Sequence, residues 1–140
     1  MDEVLADAEG LVASPRTRTL GNWPLNQLLM HLAHAMTMSI EGIPFKAPWY
    51  IRVVGPVIKR RILRHGMSPG FKLPKEGDAA SYRAAGSDQA ALEILRQAIQ
   101  RVKTEQMSSG HPVFGRMTHE EWRRLHLRHA ELHLSFVRPE

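Results

Sequence analysis

The sequence predicts an all-α fold, a four-helix bundle with a long crossover between its second and third helices. Three observations carry that prediction. Apolar residues recur every three or four positions over long stretches, and no stretch alternates apolar with polar residues as a half-buried strand does. There is no internal repeat and no low-complexity tract. Pro44, Pro48, Pro56, Pro69 and Pro74 all fall between Ile43 and Gly86, which marks that region as a connection.

The first helix is expected over residues 2–12, with Asp2 and Glu3 near its positive N-terminal end. Residues 13–21 read as a loop, after which Asn22 can cap a second helix and Pro24 can take an early helical position. That helix runs to about Glu41 and is closed by Gly42 and Pro44. Within the crossover, residues 49–54 and 57–63 predict two short basic helical pieces on either side of Gly55-Pro56, and Phe71 to Asp78 reads as loop. Helical order returns after Ser87 or Asp88, where Leu92, Leu95, Ala98, Ile99 and Val102 keep the spacing of a buried stripe. This third helix ends near Met107. A loop carrying His111-Pro112-Val113-Phe114-Gly115 leads to Thr118-His119-Glu120-Glu121, a capping-box pattern that opens a fourth helix extending to about Val137.

A chain of 140 residues is the size of one domain, so residues 1–140 are read as a single unit. With 43% hydrophobic and 24% charged residues the composition is that of an ordinary globular protein. No apolar run approaches the roughly 18 residues of a membrane span, and Met1-Asp2-Glu3-Val4 lacks the basic-then-apolar order of a signal peptide. A cytoplasmic location without an integral membrane segment is the expectation. Cysteine is absent, so any metal site must be built from nitrogen and oxygen.

The net charge of +5 is local. Arg52, Lys59, Arg60, Arg61 and Arg64 share the crossover, and Arg123, Arg124 and Arg128 line the outer face of the last helix. Solvated faces account for both groups. The functional alternatives for the crossover are a lid, an anion site or a membrane-surface contact. No recognition helix with base-reading side chains is present, so nucleic acid is not an expected partner.

The histidines are the informative residues. On the last helix, Trp122, His126, His129, His133 and Phe136 fall within roughly 40° of one direction at 100° per residue. Basic rings on an apolar stripe need partners there, and neutral imidazole is the commonest protein metal ligand. His126 and His133 are separated by about 10 Å of helical rise, so one adjacent pair must serve. His129 with His133 has the four-residue spacing of the zinc proteases, although the accompanying Glu of that motif is missing. His126 with His129 is the weaker option and leaves His126 as a lining or supporting residue. On the second helix His31 lies about 60° from the centre of the apolar side and His34 about 120°, so His31 is the inward candidate. His111 beside Pro112 reads as ordering its turn, while Trp23, Trp122, Phe136, Met30, Met36 and Met38 read as core.

His31 in Leu28-Leu29-Met30-His31-Leu32, with the His129 and His133 pair, resembles the DinB/YfiT-like metalloprotein superfamily. Gly21-Asn22-Trp23-Pro24, and His111-Pro112-Val113-Phe114-Gly115 followed by Glu121-Trp122, resemble an uncharacterised branch of it, a domain of unknown function. The match keeps order and spacing over nearly the whole chain and covers the basic crossover least. It implies a DinB-like bundle in which His31, His129 and His133 hold a divalent metal (zinc, nickel or iron), in a homodimer acting on a small-molecule substrate. Several relatives transfer or isomerise with a low-molecular-weight thiol. The expected function is therefore metal-dependent thiol S-transfer, with His126 or His34 moving protons and Arg52 or Lys59 recognising an anionic group. The alternatives are a metal-dependent hydrolase and a non-catalytic bundle that binds a metal or a partner. His34, His126 and the short first helix depart from the family's simple pattern.

Overall fold

Asp2 and Glu3 lie in the first turn of α1 (Asp2–Ala13), against the positive end of its dipole. Its buried Val4 and Ala8 are four residues apart, so the helix seats one narrow stripe. The computed structural model describes residues 1–70, 86–108 and 110–139. After α1 come β1 (Thr17–Thr19), α2 (Leu25–Glu41), α3 (Trp49–His65), α4 (Asp88–Thr104), β2 (Gly110–His111), β3 (Gly115–Arg116), α5 (His119–Leu134) and β4 (Val137–Pro139). The described residues are mostly helical, with five helices where the sequence predicts four bundle helices and two short helical pieces in the crossover. Phe71 to Asp78, expected as loop, lies outside them.

The core forms chiefly where α2 meets α4. Leu29, Leu32 and Met36 from one helix and Leu95, Ile99 and Val102 from the other are among the most deeply buried side chains. Each is worth roughly 1.5–3 kcal/mol relative to an exposed position. α5 packs against α2, α1 and α3, contributing Trp122, Leu125, Ala130 and Leu134.

Helix ends follow local chemistry. Ser87 accepts from the Ala90 amide at 3.1 Å and starts α4. Both halves of the capping box at α5 form: Thr118 Oγ1 accepts from the Glu121 amide at 3.1 Å, and Glu121 Oε2 accepts from the Thr118 amide at 2.9 Å. α2 begins differently from the expectation, because Pro24 occupies the cap position and no side chain, Asn22 included, caps it. Its end does match, with Gly42 at φ 95° in the left-handed region that a Cβ disfavours.

The crossover needs the largest correction. Residues 49–65 form one continuous helix rather than two pieces broken at Gly55-Pro56. Pro56 removes the hydrogen bond to the Arg52 carbonyl, and both residues are exposed, so that carbonyl lies on the solvent side of the helix rather than in the core. Gly55 is buried because α3 presses there against the loop after β2: a Cβ at this position would sit 1.8 Å from the Val113 carbonyl oxygen. Gly55→Ala should therefore destabilise by about 2 kcal/mol or more through steric overlap. Helix propensity alone gives the opposite sign, a gain of roughly 0.5–1 kcal/mol. Urea unfolding decides, and a variant as stable as the parent would show that α3 is not seated on that loop.

Two small ladders are also additions to the all-α expectation. β1 pairs antiparallel with β4, Arg18 opposite Arg138, and β2 pairs antiparallel with β3. Runs of two or three residues are too short to show alternation in sequence. The first ladder also explains why α5 stops at Leu134 instead of Val137. The Phe136 carbonyl accepts from the Leu20 amide at 2.8 Å, and the chain leaves the helix to join β1. α4 likewise ends at Thr104 rather than Met107, after which the Ser108 amide donates to the Ser39 carbonyl of α2 at 2.7 Å.

Candidate metal centre

His31 stands midway along α2 with 8% of its surface exposed, and His129 and His133 stand one turn apart on α5, half-buried. The wheel reading thus holds: His31 turns inward, toward α5. Its Nε2 lies 3.0 Å from Nε2 of His129. One ligand nitrogen from each of His31, His129 and His133 falls within 4.8 Å of the others. The ring centroids form a near-equilateral triangle with sides of 4.8, 4.6 and 4.6 Å, each pair meeting edge-on.

Burial keeps these rings neutral. For His31 desolvation is the leading cause, followed by the rings of His133 and His34, and together they push its pKa down to about 4. His129 is held well below the usual imidazole range by burial first and then by His31, His133 and His126. Burial lowers His133 as well. A neutral imidazole keeps the lone pair that ligation requires.

The donor set fits a divalent ion. Metal–nitrogen bonds of about 2.0–2.1 Å at a tetrahedral angle separate two ligand nitrogens by roughly 3.3 Å; those of His31 and His129 are 3.0 Å apart, and the full spread of up to 4.8 Å closes onto one ion with a small shift of the rings. The same pair also satisfies a hydrogen bond in which one Nε2–H donates to the other lone pair.

The family model described as "Protein of unknown function (DUF1569)" matches residues 1–140. The chain belongs to that family. No curated protein and no solved structure matches it. Membership agrees with the resemblance to a domain of unknown function and leaves the chemistry to be read from the residues.

His126, 3% exposed, is not in the triangle; its Nε2 meets Ser39 Oγ at 2.9 Å. Ser39 Oγ–H donates to the Met36 carbonyl at 2.6 Å, so Ser39 accepts from His126 and fixes it as the Nε2–H tautomer. His34 is half-buried beside the site and is not one of the three converging residues. Lys59 is committed elsewhere, donating to the Arg116 carbonyl at 2.8 Å and pairing with Glu121 at 2.9 Å. Arg52 is exposed on α3.

Two contributors escape a sequence reading. Trp23, read there as core, is half-buried with its ring 5.2 Å from His31 and stacked at 6.0 Å over His133. Ser39 gives no signal of its own, although it lies eight residues beyond His31 on the same broad inward stripe. His111 does order its turn, its Nδ1 accepting from the amides of Val113 and Phe114 at 3.1 Å each. A groove of about 1210 Å³ between α1 and α5 is lined by Arg123, Arg124 and Arg128 on the side of α5 away from the triangle. Those arginines pair with Glu120 and Glu131.

Proposed function

We propose that this chain is a metal-dependent enzyme of the DinB/YfiT-like kind that transfers a low-molecular-weight thiol to an electrophilic small molecule. The supporting observation is the convergence of His31, His129 and His133 nitrogens within 4.8 Å from two helices. In this reading α1, α2, α4 and α5 make up the bundle of that superfamily, and α3 belongs to its crossover. When bound, a divalent ion on three neutral imidazoles supplies a Lewis-acid centre with positions left over, which lowers the pKa of a thiol or water that reaches it.

The protein's own residues prepare that centre. α2 fixes His31 and α5 fixes the other two, so their relative placement is set by helix packing. Trp23 covers the rings of His31 and His133 and limits water on that side. The bond between His126 and Ser39 ties α5 to α2 one turn before His129. In the reaction the thiol gives its proton to solvent, a C–S bond forms, and the bond to the leaving group breaks.

Protein made without an affinity tag should carry one divalent ion per chain by elemental analysis. With that ion it should accelerate attack of a small thiol on a chromogenic aryl halide, releasing halide in equal amount. Metal-free protein whose melting ignores chelator overturns the reading. Loaded protein that cleaves esters without thiol moves it to the hydrolase, and loaded protein inert to both leaves a non-catalytic metal binder.

A further inference from the structure

From Gly42 to Lys75 the sequence contains eight lysines and arginines and no aspartate or glutamate. α3 occupies the middle of that stretch. Its inner side buries Gly55 and Ile62, and Lys59 reaches inward to Glu121. The outer side is divided along its length. Trp49, Val53 and Val57 follow one another at four-residue spacing and are 75%, 69% and 72% exposed, with Tyr50 and Val54 beside them. Arg60 and Arg64 continue the same row, flanked by Arg61, and all three are exposed.

Two comparisons set this face apart. The arginines of α4 and α5, Arg96, Arg101, Arg123, Arg124 and Arg128, each pair with a glutamate. Among the described residues no acidic side chain pairs with Arg52, Arg60, Arg61 or Arg64. Five of the seven exposed large apolar side chains among the described residues belong to this one helix, Trp49, Tyr50, Val53, Val54 and Val57. Solvation accounts for the arginines and not for the apolar half.

The charge pattern selects the occupant. A second copy packed parallel would bring like arginines together, and one packed antiparallel would set them on the apolar half with no anion to pair them, while a nucleic-acid backbone offers nothing to three valines. An anionic bilayer surface supplies both halves, with headgroup phosphates for the arginines and the acyl boundary for valine, tryptophan and tyrosine. We propose that α3 is a membrane-surface helix that docks this protein, in the plane of the interface, on anionic lipid. Its 17 residues span about 25 Å along that plane. None of the described helices is long and apolar enough to cross a membrane, so the contact is peripheral.

The test is sedimentation of the full chain with vesicles of phosphatidylcholine alone or mixed with phosphatidylglycerol. The protein should sediment with the mixture only, less so at high salt, and its tryptophan emission should shift to the blue. Trp49→Phe should remove that shift while Trp23 and Trp122 remain. Arg60→Ser, Arg61→Ser and Arg64→Ser combined should weaken binding on the order of 100-fold. Val53→Ser with Val57→Ser should weaken it about tenfold. All of these side chains are exposed, and unchanged thermal melting establishes that the variants fold. Absence of binding to the mixture overturns the proposal. So does binding indifferent to the valine pair, which is charge adsorption alone. Self-association lost in Trp49→Ser overturns it in favour of a second copy, and duplex DNA binding that survives the valine changes does so in favour of a polyanion.

Discussion

Replacing His129 by alanine is expected to abolish stoichiometric metal binding while leaving the helices intact. The ring supplies one of three converging nitrogens and lies 3.0 Å from His31. Its loss should lower affinity by more than the roughly 10–100-fold that a residue merely supporting a ligand is worth. His34→Ala is the matched control, since His34 is half-buried nearby and is not one of the three. Elemental analysis should find one ion in the parent and in His34→Ala, and none in His129→Ala. Stability reports the same event independently. Free ion at about 1,000 times its dissociation constant adds about 4 kcal/mol to the folded state, so chelator should lower the melting temperature of the parent and not that of His129→Ala. An ion retained by His129→Ala would remove this triangle as the site.

The metal-free protein should lose stability steeply between about pH 6.5 and pH 4. Burial pushes the pKa of His111 and of His126 down to about 4, whereas an unfolded chain holds histidine near 6.5. Between those values the unfolded state binds more protons than the native state, so stability rises with pH and is lost on acidification. Each shift corresponds to on the order of 3 kcal/mol, against the 5–15 kcal/mol that holds a typical domain together. The structure gives the cause. Protonating His111 at Nδ1 destroys the acceptor that holds the Val113 and Phe114 amides, and a charged His126 is enclosed between Ser39 and Trp122. His111→Asn retains an acceptor near Nδ1, and His126→Gln retains a donor near Nε2. Urea titrations at pH 7 and pH 5 should show the double variant with a clearly shallower dependence than the parent. An unchanged slope would mean that the other histidines carry the effect.

Much of the helical plan was legible because its signals are local. The α4 stripe from Leu92 to Val102 and the Thr118–Glu121 box depend only on residues within a turn or two, and both formed as expected. His31 was legible for the same reason, since the wheel orients it by its neighbours Leu28, Leu32 and Ala35. What failed depended on distant residues. Gly55-Pro56 reads as a break in isolation, and the helix runs through because that glycine lets it approach the Val113 carbonyl more than fifty positions away. α5 ends early because a strand near the start of the chain pairs with its continuation. Ser39 carries no motif, the segment that holds Trp23 says nothing of where its ring lies, and only packing brings both to the histidines.

His31 and His129 are 98 positions apart, and helix packing rather than chain continuity brings their rings together. The entropy of closing so long a segment depends on its length only logarithmically, about 0.6 kcal/mol for each doubling. Insertions or deletions between the two positions therefore leave the triangle of rings intact wherever α2 and α5 still meet. Evolution can exchange whole segments above one unchanged set of nitrogens, a route to new specificities that never touches the ligands themselves.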